Sequence, residues 1–417
     1  MAVDRRPNLG GMEKAFSLNI MMLITRYFAG LPRIDINRDS APANGPRKKC
    51  KRSAGISGSR VWRAWDILPD ELLVSVLMKL DIIDYLAFSG VCRSWRLASL
   101  DIRNCFMERL QPLVVARRRY CKKACVLFNM FDRKSSKSML PNLAGRKFWH
   151  LVSGYLITID CRELWLVNLM TRHELHFSAL PACMGKINDT RNRAVLFRST
   201  QLSGVFMVVF SKMSCYLMLS ESGSSRWQIY FLPKTSFGIF DVKILDGKIF
   251  VLTCDLQFGE FNPRGDPVFK LYNFPIPIQL SGFKHLQLAT SDNKLYIIVS
   301  HQVHRRNTPG VIIKVQYHSL YELDYKEESV KRVHDMGSKS LFLSEFQSAV
   351  VDTTGWGAGN CVCVLQPMFH QTCVFYGLSG MELSTLPFLG TDKLAPYSWF
   401  FPSESWDINC VGDEFGM

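Results

Sequence analysis

From residue 148 onward the chain repeats a turn-and-strand unit, and that repeat restricts its fold more than any other feature. Gly154, Gly204, Gly247, Asn293 and Ser338 stand at comparable turn positions, spaced 50, 43, 46 and 45 residues apart. Between them lie short β-branched and aromatic runs, such as Tyr155-Leu156-Ile157-Thr158-Ile159 and Leu164-Trp165-Leu166-Val167. Asp246-Gly247 between two apolar runs signals a hairpin, because both turn positions require φ > 0, and Asp292-Asn293 repeats the signal. A period in the forties with about four strands per unit matches a propeller blade. At about 45 residues per unit, the 267 residues 151–417 make about six blades. A pair of β-sandwiches is the competing architecture, and the regular period favours the propeller.

Trp-Asp pairs occur at 65–66 and 406–407, without the blade period, and the single Gly-Gly lies at 10–11. Neither WD-repeat nor glycine-doublet signatures mark the blades. The net charge is +15, but its position matters more. Residues 1–60 carry 12 Lys/Arg against 4 Asp/Glu, 102–150 carry 12 against 2, and 151–417 carry 23 against 24. The large strand-rich region is therefore neutral, which argues against nucleic acid as a partner, since such a reader concentrates cations on its folded surface. No run approaches the roughly 18 uncharged apolar residues of a membrane helix, so no membrane association is expected.

Thirteen cysteines run from Cys50 to Cys410 with no zinc-finger spacing. Cys361 and Cys363 alternate with Val362 and Val364 and read as one buried strand face. Unpaired thiols without a framework suit the reducing nucleus or cytoplasm. The apolar run 15–25 after Arg5, Arg6 and Lys14 imitates a signal peptide, but Asn19 interrupts it and Arg26 ends it. Residues 1–60 read as a basic, largely disordered segment. Within it Arg47, Lys48, Lys49, Lys51 and Arg52 form either a nuclear-localisation cluster or a solvated linker charge.

Residues 62–110 change character. Apolar side chains at 72, 73, 76, 77 and 80 recur with the 3.6-residue helical period. Pro69 suits the first helical position, with Asp70 and Glu71 at the positive end of the dipole. Asp84 is placed to cap a second helix ended by Gly90, and Val91, Trp95 and Ala98 line a third. Three short helices in about 35 residues cannot hide so many apolar groups, because units of that size are marginal alone. The excess face either packs on the same chain or docks another protein.

These residues resemble the F-box family. The run Trp65-Asp66-Ile67-Leu68-Pro69-Asp70-Glu71-Leu72-Leu73, then Val76-Leu77, Leu80, Asp84-Tyr85-Leu86 and Val91-Cys92-Arg93-Ser94-Trp95-Arg96 carry the family's anchors, with Ser89-Gly90 where a basic residue is frequent. The resemblance implies docking on a Skp-type adaptor, and through it on cullin and RING subunits. Leu68 and Pro69 would enter the adaptor's groove, Leu72, Leu73, Val76, Leu77 and Leu80 would extend the contact, and Val91, Cys92 and Trp95 would finish it while bracing the helices.

A second resemblance covers most of 148–385. Trp149-His150-Leu151, 154–160 and 163–169 are similar to the opening of a plant domain formerly of unknown function, with Asn168-Leu169 replacing the usual Asn-Pro. Tyr321-Glu322-Leu323, 333–337 and 340–344 are similar to its closing segment. That family implies a kelch-like propeller behind an F-box. The expected architecture is therefore multidomain, α plus all-β. A small three-helix F-box (62–110) precedes a β-propeller of about six blades (148–400), with a basic connector at 111–147 and a tail at 401–417.

No catalytic signature is legible. His173 and His176 fall on opposite faces of one strand, and His301, His304 and His318 share no ligand spacing, so neither metal nor cofactor is expected. The expected role is a non-catalytic substrate-recognition subunit of an SCF-type ubiquitin ligase, whose propeller holds a target protein of unknown identity. The alternative is a nuclear interaction or regulatory protein that binds the adaptor without causing degradation.

Overall fold

The computed structural model describes residues 68–402, apart from 119–122, 141–142, 144–145, 161, 171, 183–190, 199–203, 234–237, 275–282, 292, 309–310, 358, 367–371 and 388–393. The candidate localisation cluster at 47–52 and the tail from 403 lie outside the described residues. Two compact units divide between Leu110 and Gln111.

The first unit is helical: α1 (Asp70–Leu77), α2 (Ile82–Ser89), α3 (Arg93–Asp101) and α4 (Arg103–Glu108). Pro69 is the N-cap of α1 rather than its first turn. Asp81, not Asp84, caps α2, its carboxylate accepting the Asp84 N–H at 2.9 Å. Asp84 instead sits in the first turn, where burial and the nearby Asp81 raise its carboxyl pKa. Gly90 ends α2 at φ −87°, so its lack of a side chain is not required there. Both α1 and α2 pack on α3.

The second unit is a β-propeller of six sheets. The first combines β1 (Leu113–Arg118), β2 (Ala124–Asn129) and β3 (Lys134–Met139) with the last strand, β25 (Leu394–Phe400), which pairs antiparallel with β1. Four strands in chain order make each of the next four sheets. These are β4 (Lys147–Val152), β5 (Tyr155–Asp160), β6 (Glu163–Asn168) and β7 (Glu174–Phe177); then β8 (Asn192–Arg198), β9 (Val205–Ser211), β10 (Tyr216–Glu221) and β11 (Gln228–Phe231). The fourth holds β12 (Ile239–Leu245), β13 (Lys248–Thr253), β14 (Phe258–Phe261) and β15 (Phe269–Tyr272). The fifth holds β16 (Phe283–Ser291), β17 (Lys294–Thr308), β18 (Val311–Asp324) and β19 (Ser329–Val333). The sixth is irregular. Its strands β20 (Lys339–Leu343), β21 (Ser348–Asp352), β22 (Cys361–Leu365), β23 (Thr372–Gly377) and β24 (Glu382–Pro387) run in the order β21-β20-β22-β23-β24, with β20 parallel to β22.

Six blades were expected, but not drawn from these residues. Residues 111–147 do not form a looping connector: β1, β2 and β3 occupy them and belong to the second unit. Arg117-Arg118-Arg119 and the lysines of β3 conceal the strands, whereas Val114, Ala116 and Phe128 are buried in a blade interface. Turn positions 154, 204, 247 and 293 do join the first two strands of sheets two to five, with Gly154, Gly247 and Asn293 at positive φ. Ser338 is not their equivalent, because it precedes β20.

The core lies between sheets rather than within one. Side chains of β5 and β6 meet those of β8 and β9; those of β9 and β10 meet β12 and β13; those of β13 meet β16 and β17. Leu320 meets Leu341 and Val362, and Phe342 and Cys363 meet Val114 and Trp399, which closes the ring. Alternation at period 2 gives each strand two apolar faces, one for each neighbouring blade.

Candidate functional site

In the helical unit, α1 carries two apolar stripes. Leu73 and Leu77 point inward and are buried, at 2% and 0% exposure. Pro69, Leu72, Val76 and Leu80, spaced three or four residues apart, form the other stripe, because such positions share one helical face. Leu72 is 42% exposed, Pro69 is exposed, and Leu68, Val76 and Leu80 are half-buried. Val91, 43% exposed, and half-buried Cys92 precede α3.

Trp95 is buried and stacks on Phe88 with centroids 4.2 Å apart. Tyr85 stacks on Phe106 at 4.1 Å, and its hydroxyl donates to the Ser99 carbonyl. Leu73, Leu77 and Trp95 therefore cannot offer side-chain surface to a partner; burial gives them a bracing role. Leu68, Pro69, Leu72, Val76, Leu80, Val91 and Cys92 retain surface. Holding an apolar stripe in water forgoes about 25 cal/mol per Å² of burial.

The propeller's chemistry-bearing residues largely serve packing. Cys361 and Cys363 lie on one buried face, their Sγ atoms 3.8 Å apart. That hydrogen bond draws the Cys361 thiol down to about 7, while burial pushes Cys363 well up. His173 Nδ1 pairs with the Tyr155 hydroxyl at 3.0 Å, and His176 Nε2 with Glu163 Oε2 at 3.2 Å, so the two histidines serve separate neighbours. His301 stacks on Tyr317, and His318 Nδ1 bonds Ser300 Oγ at 2.9 Å. Among the described residues, no three His, Cys, Asp or Glu side chains converge to hold a metal ion. No described helix is long and apolar enough to cross a membrane.

One polar cluster escaped sequence reasoning. Near the starts of the inner strands, Arg193 Nη2 donates to His285 Nε2 at 3.0 Å and to the Glu345 carbonyl. Lys212 Nζ reaches the same His285 nitrogen at 2.8 Å. Both cations donate to Nε2, so His285 is neutral; burial first, then Arg193 and Lys212, hold its pKa far below the usual imidazole range. Burial likewise lowers Lys212 to about 8. These residues come from three blades, so no linear motif could show them. The available signal was an arginine at the head of the apolar run Ala194-Val195-Leu196-Phe197.

Comparison with known families decides the assignment. The KIB1-4 beta-propeller model matches residues 127–376, well over half of the chain. The chain belongs to the KIB1-4 β-propeller family. The F-box domain model matches residues 65–106, so this member is an F-box protein with a C-terminal propeller. The propeller match begins after β1 and ends before β24, leaving both strands of the closing pair, β1 and β25, outside it. No curated protein matches the chain. Among solved structures, a Saccharomyces cerevisiae Dbp5 complex with Nup159, Gle1, IP6 and ADP shares 8% identity, over 66% of this chain and 88% of that one, at a TM-score of 0.32. YCF48 from Cyanidioschyzon merolae shares 11%, over 60% and 70%, at 0.31. F-box and propeller domains are typical of non-catalytic adaptor subunits, and F-box domains generally bind Skp1-type adaptors.

Proposed function

We propose that this KIB1-4 family member is the substrate-recognition subunit of an SCF-type ubiquitin ligase. Leu68, Pro69, Leu72, Val76, Leu80, Val91 and Cys92 contact the Skp-type adaptor, which brings cullin and RING subunits. Leu73, Leu77 and Trp95 hold that surface in shape. The propeller binds a target protein and makes no bond itself. Its contribution is effective concentration: a tethered target lysine meets a charged conjugating enzyme as if at millimolar concentration or above. The nucleus and the cytoplasm are the compartments proposed for this activity.

The observation that carries this reading is the outward stripe of α1, inside a segment that matches the F-box. Leu72 and Val91, largely exposed, and Leu68, Val76 and Leu80, half-buried, each add part of the about 1.5–3 kcal/mol of full side-chain burial, against an association cost of about 4–15 kcal/mol. The test is affinity purification of the intact chain beside a Leu68→Ala, Pro69→Ala double variant under proteasome inhibition. Adaptor and cullin should leave with the variant's lost surface, while target proteins remain and accumulate with the inhibitor. Adaptor recovery equal to wild type would end the proposal. Targets that do not accumulate would favour a non-degradative regulatory role.

A further inference from the structure

One face of the sixth sheet borders a cavity of about 310 Å³, at the lower end of the range for small-molecule sites. Alternate residues of three strands line it: Ser340 and Phe342 of β20, Cys361 and Cys363 of β22, and Ser384 and Leu386 of β24. Residues two apart on a strand share a face, so these side chains border the space, whereas the intervening Leu341 and Val362 pack with Leu320 of the fifth sheet. Phe131, from the turn between β2 and β3, and Trp356, from the connection between β21 and β22, add to the wall.

The walls are chiefly aromatic. Phe131 stands edge-on to Trp356, Phe375 and Phe342, with centroids 4.7, 6.2 and 6.4 Å away. The same lining holds two sulfurs: Cys361 Sγ lies 3.8 Å from Cys363 Sγ and 3.1 Å from Ser340 Oγ. Cys361 is 4% exposed and Cys363 1%, which leaves Cys361 the more accessible of the pair. The hydrogen bond from Cys363 draws the Cys361 thiol down to about 7 against the opposing effect of burial, and Ser340 assists. Cys363, whose thiol burial pushes well up, keeps its proton and donates it. Near neutral pH a large share of Cys361 is therefore thiolate, the nucleophilic form of the side chain.

We infer that the cavity captures a small apolar electrophile, an α,β-unsaturated carbonyl compound, whose body lies on Phe131, Trp356 and Phe375 while Cys361 bonds its β-carbon. The thiolate supplies the electron pair of the new S–C bond. The C=C π pair moves onto the α-carbon as an enolate and takes one proton from solvent, so nothing leaves and no oxidant is consumed. Aromatic walls reward an apolar body of this kind, and they offer little to a small polar oxidant such as a peroxide. The inference stands apart from adaptor docking, because it concerns only the second unit.

Reaction of the full-length chain with N-phenylmaleimide, mapped residue by residue by mass spectrometry, tests it. Cys361 should be labelled about tenfold or more faster than Cys125 and Cys373, which are 0% exposed and do not line the cavity. Its rate should level off as probe concentration rises, because binding precedes addition, whereas exposed Cys105 should react in proportion to concentration. Ser384→Trp, at an exposed position of the edge strand β24, fills the space and keeps both thiols. It should slow Cys361 by about tenfold or more, the loss of a buried phenyl group, with Cys105 unchanged. Labelling of Cys361 no faster than Cys373, labelling of Cys363 in its place, a rate that stays proportional to concentration, or an unchanged rate in folded Ser384→Trp would overturn the inference. Should that variant not fold, the wild-type ratio of Cys361 to Cys373 decides.

Discussion

Trp399 donates its indole Nε1–H to the Leu343 carbonyl at 2.9 Å, tying the last strand, β25, to the end of β20 in the neighbouring sheet. Trp399 is fully buried and packs edge-on against Phe342 at 5.0 Å. Because β25 also pairs with β1, this one side chain joins the two sheets at which the ring closes.

Trp399→Ala should therefore destabilise the whole propeller. The lost burial and residual cavity are worth about 3–5 kcal/mol, and the orphaned Leu343 carbonyl adds to the cost. Trp399→Phe keeps most of the ring and should cost less. Urea unfolding followed by tryptophan fluorescence gives both values, and equal stability of wild type and the alanine variant would show that closure does not depend on this contact.

On α1 the two stripes make opposite predictions. Leu72→Ala should weaken adaptor binding at least tenfold with a stability change within about 0.5 kcal/mol, as for other exposed positions. Trp95→Ala removes the partner of Phe88 and should cost about 3–5 kcal/mol, losing adaptor binding through unfolding of the helices. Parallel circular dichroism and adaptor pull-down separate the two effects. A Leu72 variant that loses helicity with its binding would contradict the assignment of that residue to the surface.

Much of this arrangement was readable beforehand, and the misreadings have physical causes. Helical period located α1, yet it could not separate Leu72 and Val76 from Leu73 and Leu77, since one broad apolar face contained both the core and the surface stripe. Asp-Gly and Asx turns located the hairpins at 247 and 293 because positive φ leaves a compositional mark. Residues 111–147 read locally as a charged connector because cations outnumber acids there, and the strand that completes the sheet of β1–β3 lies at 394–400, beyond any local window. The β20–β22 parallel pairing shifted the fifth turn for a related reason: nothing at Ser338 itself shows that a hairpin will be inserted at the sheet's inner edge. Arg193 and His285 are 92 residues apart and meet only once the ring has formed.

Stability should fall as the medium is acidified from about pH 6.5 to 4. Burial holds His150 and His318 at about 4, from 6.5, with Arg193 and His301 respectively adding repulsion. Both are neutral in the native fold, whereas unfolding restores an ordinary imidazole. Below pH 6.5 the unfolded chain takes up protons that the fold refuses, so the equilibrium moves toward unfolding; the loss levels off for these two below 4, where both states are protonated. Each contributes on the order of a few kcal/mol across that window. His318→Asn should flatten the profile of urea midpoints measured between about pH 7.5 and 4.5, and an unaltered slope would show that His318 titrates normally.

Gly238 and Gly247 bracket β12 and should respond differently to alanine. At Gly247, φ is +73° and a Cβ would meet nothing within 4 Å, so Gly247→Ala incurs only left-handed strain of about 1–2 kcal/mol. At Gly238 a Cβ would fall 2.0 Å from the Lys212 carbonyl oxygen and 2.1 Å from its carbon. Backbone cannot swing aside as a side chain does, and Gly238 O is also held by the Cys254 N–H at 2.8 Å. Gly238→Ala must therefore push β12 away from Lys212, and with it Asp241 away from Arg193. We expect a loss larger than at Gly247, about 3 kcal/mol or more. Thermal melts of the two variants compare them directly; a Gly238 variant as stable as the Gly247 variant would mean that β12 and the Lys212 turn are free to separate.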